Sequence, residues 1–544
     1  MSYKIEQVFS LDIRAALRYA GHMDFKPGAF SATGGSARVL HLPPTFALVV
    51  PLLRRLGLTR IIDQQCPIAP RAEMTHGQVV EALIMHLLQD DRRLPMYQLQ
   101  QWAEKHNLCA LYGAPAQAFN DDRIGRTLDA LAPMVYQLHA LIVTAILSTY
   151  QLPVRAVLWD LTHILFQGAY EQSELIEAGY GHGGLHDKQI QLSLHAEAET
   201  GLPLLYKELP GATNQTPLAG GLVEELKDLL HTSDLIVVSD KAGVSYENIL
   251  AYRRAGAHFV SPLQTTPAQA ALVAQPPLAA FTELEYRAAG NRHERFSYYA
   301  TTVTLQRAHR PGLTVSGLLI HSTQKQRTDA ERRDKAIARA LAAVAKVTEY
   351  LNRHRYFHRD YAQAQLDKKI RGAAQGIVGF ELSGEDGQLS LRSWVDEPAR
   401  EQAAHSDGRY LLIHNLEDPA DEIFKLYKRQ YVVEHCFRSF KSTLRVNPVW
   451  LHKQQRITAL VLIWVLALTI FVLLGILAER VGLDNEPYYP KLTPRAMLEV
   501  FDYADALQIT LPDHPPECQL QLSDRQLEIL HALGLHDSHQ LLNH

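Results

Sequence analysis

The sequence predicts an α/β protein: a helical N-terminal region, then a core in which strands and helices alternate, interrupted by a mainly β insertion. Three observations carry this prediction. Residues 45–148 repeat apolar positions at helical spacing, 154–262 alternates short extended runs with helical ones, and 266–405 is strand-rich before a polar helix and an apolar helix close the pattern. With 544 residues, 47% hydrophobic and 21% charged, the chain can bury several cores and does not have the composition of a disordered protein. The expected divisions are a helical region at 1–150, the first part of the core at 151–265, the insertion at 266–405, the second part of the core at 406–480, and a C-terminal region at 481–544.

The elements follow in order. Thr75-His-Gly-Gln78 has capping-box spacing ahead of the apolar run 79–88, and Asn120 can cap a helix whose apolar face holds Ile124, Leu128, Leu131, Val135 and Leu138. Pro153 then punctuates the chain. Val154-Arg-Ala-Val-Leu-Trp159 reads as a short strand ending at Asp160, with a second extended stretch at 164–166. Alternation at 189–196 and 204–209 predicts two more strands. A helix at 217–231 leads to the apolar run 235–239, a buried strand that ends at Asp240; a helix (246–255) and a strand (258–262) follow. Strand-like pieces at 296–305, 313–320 and 376–391 surround a basic helix near 328–353. After a strand at 408–414 comes one helix over 420–441, and then 459–477, nineteen residues without a charge. That run is long enough to span a bilayer. It is read as the one such run, and it is expected to be a helix buried on all sides rather than a membrane anchor. The tail is Pro-rich at first and ends in a small helical element.

Charge is segregated. The net charge is −4, yet 425–456 carries eight Lys/Arg against one acid, and 325–371 carries thirteen against six with aromatics interleaved. Such patches are the footprint of phosphate binding, or of solvated basic helices. Cys66, Cys109, Cys436 and Cys518 form no paired motif, which argues against a disulfide scaffold or a structural zinc site and fits a reducing, cytoplasmic setting. The first 21 residues contain neither a continuous apolar core nor a cleavage site, so no signal peptide is expected.

The most informative run is 427–441. Drawn as one helix, Tyr427, Gln430, Glu434, Arg438 and Lys441 share a stripe about 80° wide, while Val433, Phe437 and Phe440 point elsewhere. A carboxylate flanked by cations and an aromatic suits a metal ion beside a phosphate backbone; the alternative is a solvated face. Asp160 and Asp240, each at a strand end, are placed to meet Glu434, because ligands of open α/β sheets gather at the carboxyl ends of strands. Two carboxylates 4 Å apart repel by about 4 kcal/mol at an effective dielectric near 20, a cost that divalent cations remove.

This order of strands, acids and helices matches the ribonuclease H-like fold. The chain resembles bacterial insertion-sequence DDE transposases marked by Tyr-x2-Arg-x3-Glu-x6-Lys: Tyr427, Glu434 and Lys441 match, and Gln430 stands where the pattern has Arg. Trp159-Asp160-Leu-Thr162, Ser239-Asp240-Lys-Ala-Gly243 and Phe437-Arg-Ser-Phe-Lys441 add to the likeness, which covers roughly 150–480. The resemblance implies that Asp160, Asp240 and Glu434 bind two Mg²⁺ ions, with Mn²⁺ as a substitute. It implies that Tyr427 and Lys441 hold DNA phosphates, with Gln430 and Arg438 on the same stripe. Either Arg438 compensates for the missing Arg or end binding is weakened. The expected partners are double-stranded DNA, as terminal inverted repeats and target, and a second copy of the chain in a homodimer; no membrane is expected. The family cuts through a DNA hairpin, often with a flipped base on an aromatic of the insertion, for which Trp394 or a tyrosine near 298 can serve. The alternative function is a transposase-derived, catalytically inactive DNA-binding protein. The run His182-Gly-Gly-Leu-His186-Asp187, with His163, is a weaker candidate for zinc, and chance clustering among 26 histidines is the competing reading.

Overall fold

The described chain opens with strand β1 (Ser36–Leu42) and the helical region expected from the sequence pattern. The computed structural model describes residues 36–43, 45–89, 98–171, 173–181, 184–213, 219–264, 266–288, 290–442, 444, 451, 453–482, 492–502, 504–510 and 517–535. The N-terminal 21 residues, Arg445, His182 and the Pro-rich stretch 483–491 lie outside these. Thr75 caps the helix His76–Leu88: its hydroxyl accepts from Gln78 N at 3.1 Å, and the Gln78 side chain accepts from Thr75 N at 2.8 Å. Asn120 caps Asp121–Leu131, accepting from Arg123 N at 2.8 Å, and the apolar face of Ile124, Leu128, Leu131, Val135 and Leu138 is buried.

A central sheet follows. Its first strands are β2 (Ala156–Phe166), β3 (Glu177–Gly181), β4 (Gly184–Glu197), β5 (Pro203–Pro210), β6 (Ile236–Ser239) and β7 (His258–Leu263). Then come β8 (Thr282–Glu283), β9 (Phe296–Leu305) and β10 (Leu313–Ser322); after the separate hairpin β11 (Val378–Ser383) and β12 (Ser390–Val395), β13 (Arg409–His414) returns to the sheet. The spatial order is β3-β4-β2-β6-β7-β13-β10-β9-β8, with β5 also paired to β4. β2, β4 and β5 are antiparallel neighbours, whereas β2, β6 and β7 run parallel. The helices Ala219–Leu230 and Tyr246–Arg254 make the crossovers that parallel pairing demands, and every residue of β6 is buried.

Three expectations change. Asp160 does not end a strand, because β2 runs on to Phe166; however, its parallel pairing with β6 stops at Trp159↔Ser239, so Asp160 lies just past the end of that ladder. The insertion is not mainly β. Between 266 and 405 helical residues outnumber strand residues, chiefly through the 28-residue helix Thr323–Tyr350, which contains no Gly or Pro and is rich in Ala, Lys and Arg. Its β9 and β10 also extend the central sheet through β13, and only the stretch between β10 and β13 forms separate small cores, around Ile337, Val344 and Leu366 and around Ala362, Leu382 and Leu389. Finally, the helix expected over 420–441 is two helices, Ala420–Lys428 and Tyr431–Ser442.

The charge-free run is the helix Gln454–Arg480, with Ile457 and nearly every residue from Ala459 to Ala478 buried; it is not alone, since the helical stretch Asp121–Tyr150 is also long and apolar enough to cross a membrane. It packs between the N-terminal helices His76–Leu88, Asp121–Leu131 and Val135–Tyr150 and the β5 side of the core, so its apolar surface is covered by protein. Strands β14 (Ala504–Thr510) and β15 (Glu517–Gln521) complete a three-stranded sheet with β1, joining the two ends of the described chain. The helices Pro494–Val500 and Asp524–Ala532 complete the tail.

Candidate active site

Two parallel strands place the first two carboxylates. Asp160 and Asp240 each follow one member of the last pair in the β2–β6 ladder, so they stand at the same level, Asp160 within β2 and Asp240 just past β6. The backbone N–H of Leu161 donates to Asp160 Oδ1 at 2.8 Å. Asp240 sits at the mouth of a tight turn, where Gly243 N donates to Asp240 O at 3.1 Å. Gly243 is required there: a Cβ would lie 2.0 Å from Ser239 Oγ and 3.0 Å from the Trp159 ring. The buried Trp159 is itself fixed by its indole N–H donating to Ser193 Oγ at 2.9 Å, and Ser239 bonds Ser261 beneath it.

The third carboxylate arrives on the first turn of Tyr431–Ser442. The break before this helix carries no Gly or Pro, which is why residue pattern does not reveal it. Arg429 N donates to Leu426 O and Gln430 N to Tyr427 O, both at 3.1 Å, tightening the chain to an i+3 turn; Val432 N then starts the new helix on Arg429 O at 2.8 Å. Tertiary contacts hold the break: the Gln430 amide donates to Trp159 O at 3.3 Å, and Arg429 pairs with Glu199. One turn into the helix, Cys436 donates to Gly201 O at 3.2 Å, seating it on the β4–β5 connection; burial pushes its thiol up to about 12.

The electrostatics tie the three acids together. Asp160 is pushed up to about 7, chiefly by burial and also by the charges of Asp240 and Glu434, against the Leu161 N–H and the charge of Lys441. Burial raises the Tyr427 phenol, with Glu434 and Asp240 adding to the shift, so Tyr427 faces the same acids from the preceding helix. Lys441 is lowered by burial and pulled back up by Asp160. Asp160, Asp240, Glu434, Tyr427 and Lys441 therefore share one electrostatic neighbourhood. Among the described residues, no three His, Cys, Asp or Glu close to coordinating distance of one another, and no His-rich zinc cluster forms. The donor set still fits hard divalent cations: three carboxylates, one of them held near neutrality by burial and its neighbours' charge.

Other expected site residues sit differently. Gln430 turns toward the β2 backbone, and its Oε1 is buried without a hydrogen-bond partner. Arg438 is exposed one turn beyond Glu434. Much of the basic character of 425–456 is spent inside the protein. Lys428 lies 4.4 Å from the Phe296 ring centroid and 5.3 Å from that of Phe424, Lys425 pairs with Glu422, and Arg456 forks onto Asp129 at 2.8 and 2.6 Å. In the insertion, Trp394 is 45% exposed on β12, stacked over Gly379, while Tyr298 is half-buried in β9. Residue reasoning missed the Trp159 carbonyl as an anchor; the tryptophan directly before Asp160 was its one signal.

The model of the transposase DDE domain matches residues 155–470, more than half of the chain, and the chain belongs to that family. Residues 39–146 match a domain of unknown function (DUF4277), a boundary that coincides with the N-terminal helices. Among solved structures, a piggyBac transposase synaptic complex with hairpin DNA, determined by cryo-EM, aligns with 86% of this chain and 82% of that one at 11% identity, with a TM-score of 0.39. No curated protein matches.

Proposed function

We propose that this chain is the transposase of an insertion sequence, cutting the ends of its element and joining them to target DNA by metal-dependent phosphoryl transfer. The observation that carries the reading is the match of residues 155–470, which include Asp160, Asp240 and Glu434, to the transposase DDE domain; the raised carboxyl of Asp160, which feels both other acids, agrees with it. The strand order β5-β4-β2-β6-β7, antiparallel and then parallel, supports a ribonuclease H-like core. Asp160, Asp240 and Glu434 would hold two Mg²⁺ or Mn²⁺ ions, whose chemistry is to activate an attacking oxygen and neutralise the leaving one. Tyr427 and Lys441 flank the acids and are placed to hold a DNA phosphate, with Arg438 farther along the same helix. Gln430 aligns the Glu434 helix on β2. The N-terminal helices are assigned to binding the element's ends, and joining two ends calls for two copies of the chain. Free cysteines and a buried apolar helix support a cytosolic, non-membrane setting.

The test is incubation of the protein with linear duplex carrying the DNA that flanks its gene, with and without Mg²⁺. Metal-dependent nicking at the boundary of an inverted repeat is expected. Tight binding of the repeats without nicking under any divalent cation would instead establish the second reading, an inactive DNA-binding derivative, for which Gln430 in place of Arg is the motivating residue.

A further inference from the structure

The helix Thr323–Tyr350 separates its cations into two populations. Its inner face, Ile337, Ala340, Val344 and Val347, packs into the insertion. Arg333 on that side is buried and pairs with Asp407 at 2.6 Å, while Lys325 pairs with Asp329 at 2.6 Å. Arg333 thereby ties the helix to the residues just before β13, as does Asp329, which accepts from Gly408 N at 3.0 Å, whereas the Lys325 pair lies within the helix. Arg332, Arg339 and Lys346 behave differently: all three are exposed, and none forms an ion pair among the described residues. They are seven residues apart, so they lie on one stripe about 10 Å between neighbours, centred about 120° from the middle of the buried face. Tyr350, 41% exposed, continues that stripe. The nearest acids flank it at about 60–100°, Glu331 and Glu349 on one side and Asp329 on the other; Glu331 is occupied by Lys335 and Asp329 by Lys325.

Topology starts this helix from the edge of the sheet that carries the acidic cluster. β13 is antiparallel to β7, and β10 is antiparallel to β13, so β10 ends where the parallel strands β6 and β7 end. Both connections of the excursion, outward after Ser322 and back before Arg409, therefore leave from the edge of the sheet that carries Asp160 and Asp240.

Resting on the transposase reading, we propose that Arg332, Arg339 and Lys346 form a sequence-independent track for the phosphate backbone of the duplex DNA whose end reaches Asp160. Their spacing, exposure and lack of internal partners suit contact with a polyanion, and Tyr350 offers a ring face at the far end of the track. A solvated face without a ligand is what the test must exclude.

The experiment uses the full chain with Arg332→Gln, Arg339→Gln and Lys346→Gln combined, binding a 40-base-pair duplex of unrelated sequence across a salt series without divalent metal. The control removes equal charge at the opposite end of the sheet, with Arg254→Gln, Arg307→Gln and Arg310→Gln. Each phosphate contact contributes about 0.9 to the slope of log affinity against log salt, so the track variant should lose about 2.7 from the slope and bind at least tenfold more weakly near 0.1 M salt. The control should retain the wild-type slope. An unchanged slope in the track variant, or an equal loss in the control, overturns the track. Because no cleavage is measured, that result leaves the assignment of Asp160, Asp240 and Glu434 standing; failure of metal-dependent nicking would be seen separately.

Discussion

The Gln430 amide donates to the Trp159 carbonyl at 3.3 Å, joining the residue before Asp160 to the turn that launches the Glu434 helix. Two halves of the acidic cluster, 271 residues apart in sequence, thus meet through one side chain and a backbone oxygen. This makes Gln430 a positioning residue. Gln430→Ala should lower cleavage about tenfold, cost about 1 kcal/mol of stability, and leave DNA affinity within about twofold. A loss of affinity with cleavage per bound complex unchanged would instead place Gln430 on the DNA.

Repulsion among the acids predicts a stability signature. Without metal, Asp160→Asn should raise Tm, because it removes a half-buried carboxylate that feels Asp240 and Glu434; a gain of about 1 kcal/mol is the expected scale. Addition of Mg²⁺ should raise the wild-type Tm and have little effect on the variant. Thermal melts with and without Mg²⁺ check both signs.

Gly243 is predicted to tolerate no side chain. Gly243→Ala drives a Cβ into Ser239 and the Trp159 ring and must displace the turn behind Asp240. A loss of about 2 kcal/mol, together with loss of cleavage, is expected from melts and end-cutting assays.

The N-terminal helices hold a pH-sensitive carboxyl. Burial pushes Glu81 up to about 7 from its ordinary 4.5, against the charge of Arg54 and hydrogen bonds from Tyr112 and Thr59. The folded state keeps a proton that the unfolded chain releases, so this group costs stability progressively as pH rises from about 4.5 to about 7. Glu81→Gln should therefore be stabilising by about 2 kcal/mol at pH 8 and neutral near pH 4, as read from melts at the two pH values.

The elements legible in the sequence were those written in local pattern. The Thr75 and Asn120 caps, the buried run before Asp240, the alternation of β4 and the apolar helix all signal themselves within a few residues. The missed features depend on distant partners. β2 continues past Asp160 because β4 pairs with it across its length, and the 420–441 helix breaks because Gln430 and Arg429 find β2 and Glu199. β1 had no local sign that β14 would be its neighbour. The contacts that Lys428 and Arg456 make within the chain could not be read either, since a charge count does not say which way a side chain turns.

The most direct test compares wild type with Glu434→Gln on duplex bearing the element's ends, following cleavage in Mg²⁺ and binding in its absence. The account predicts that cleavage disappears while binding persists within a few fold. Wild-type levels of cleavage by Glu434→Gln would contradict it.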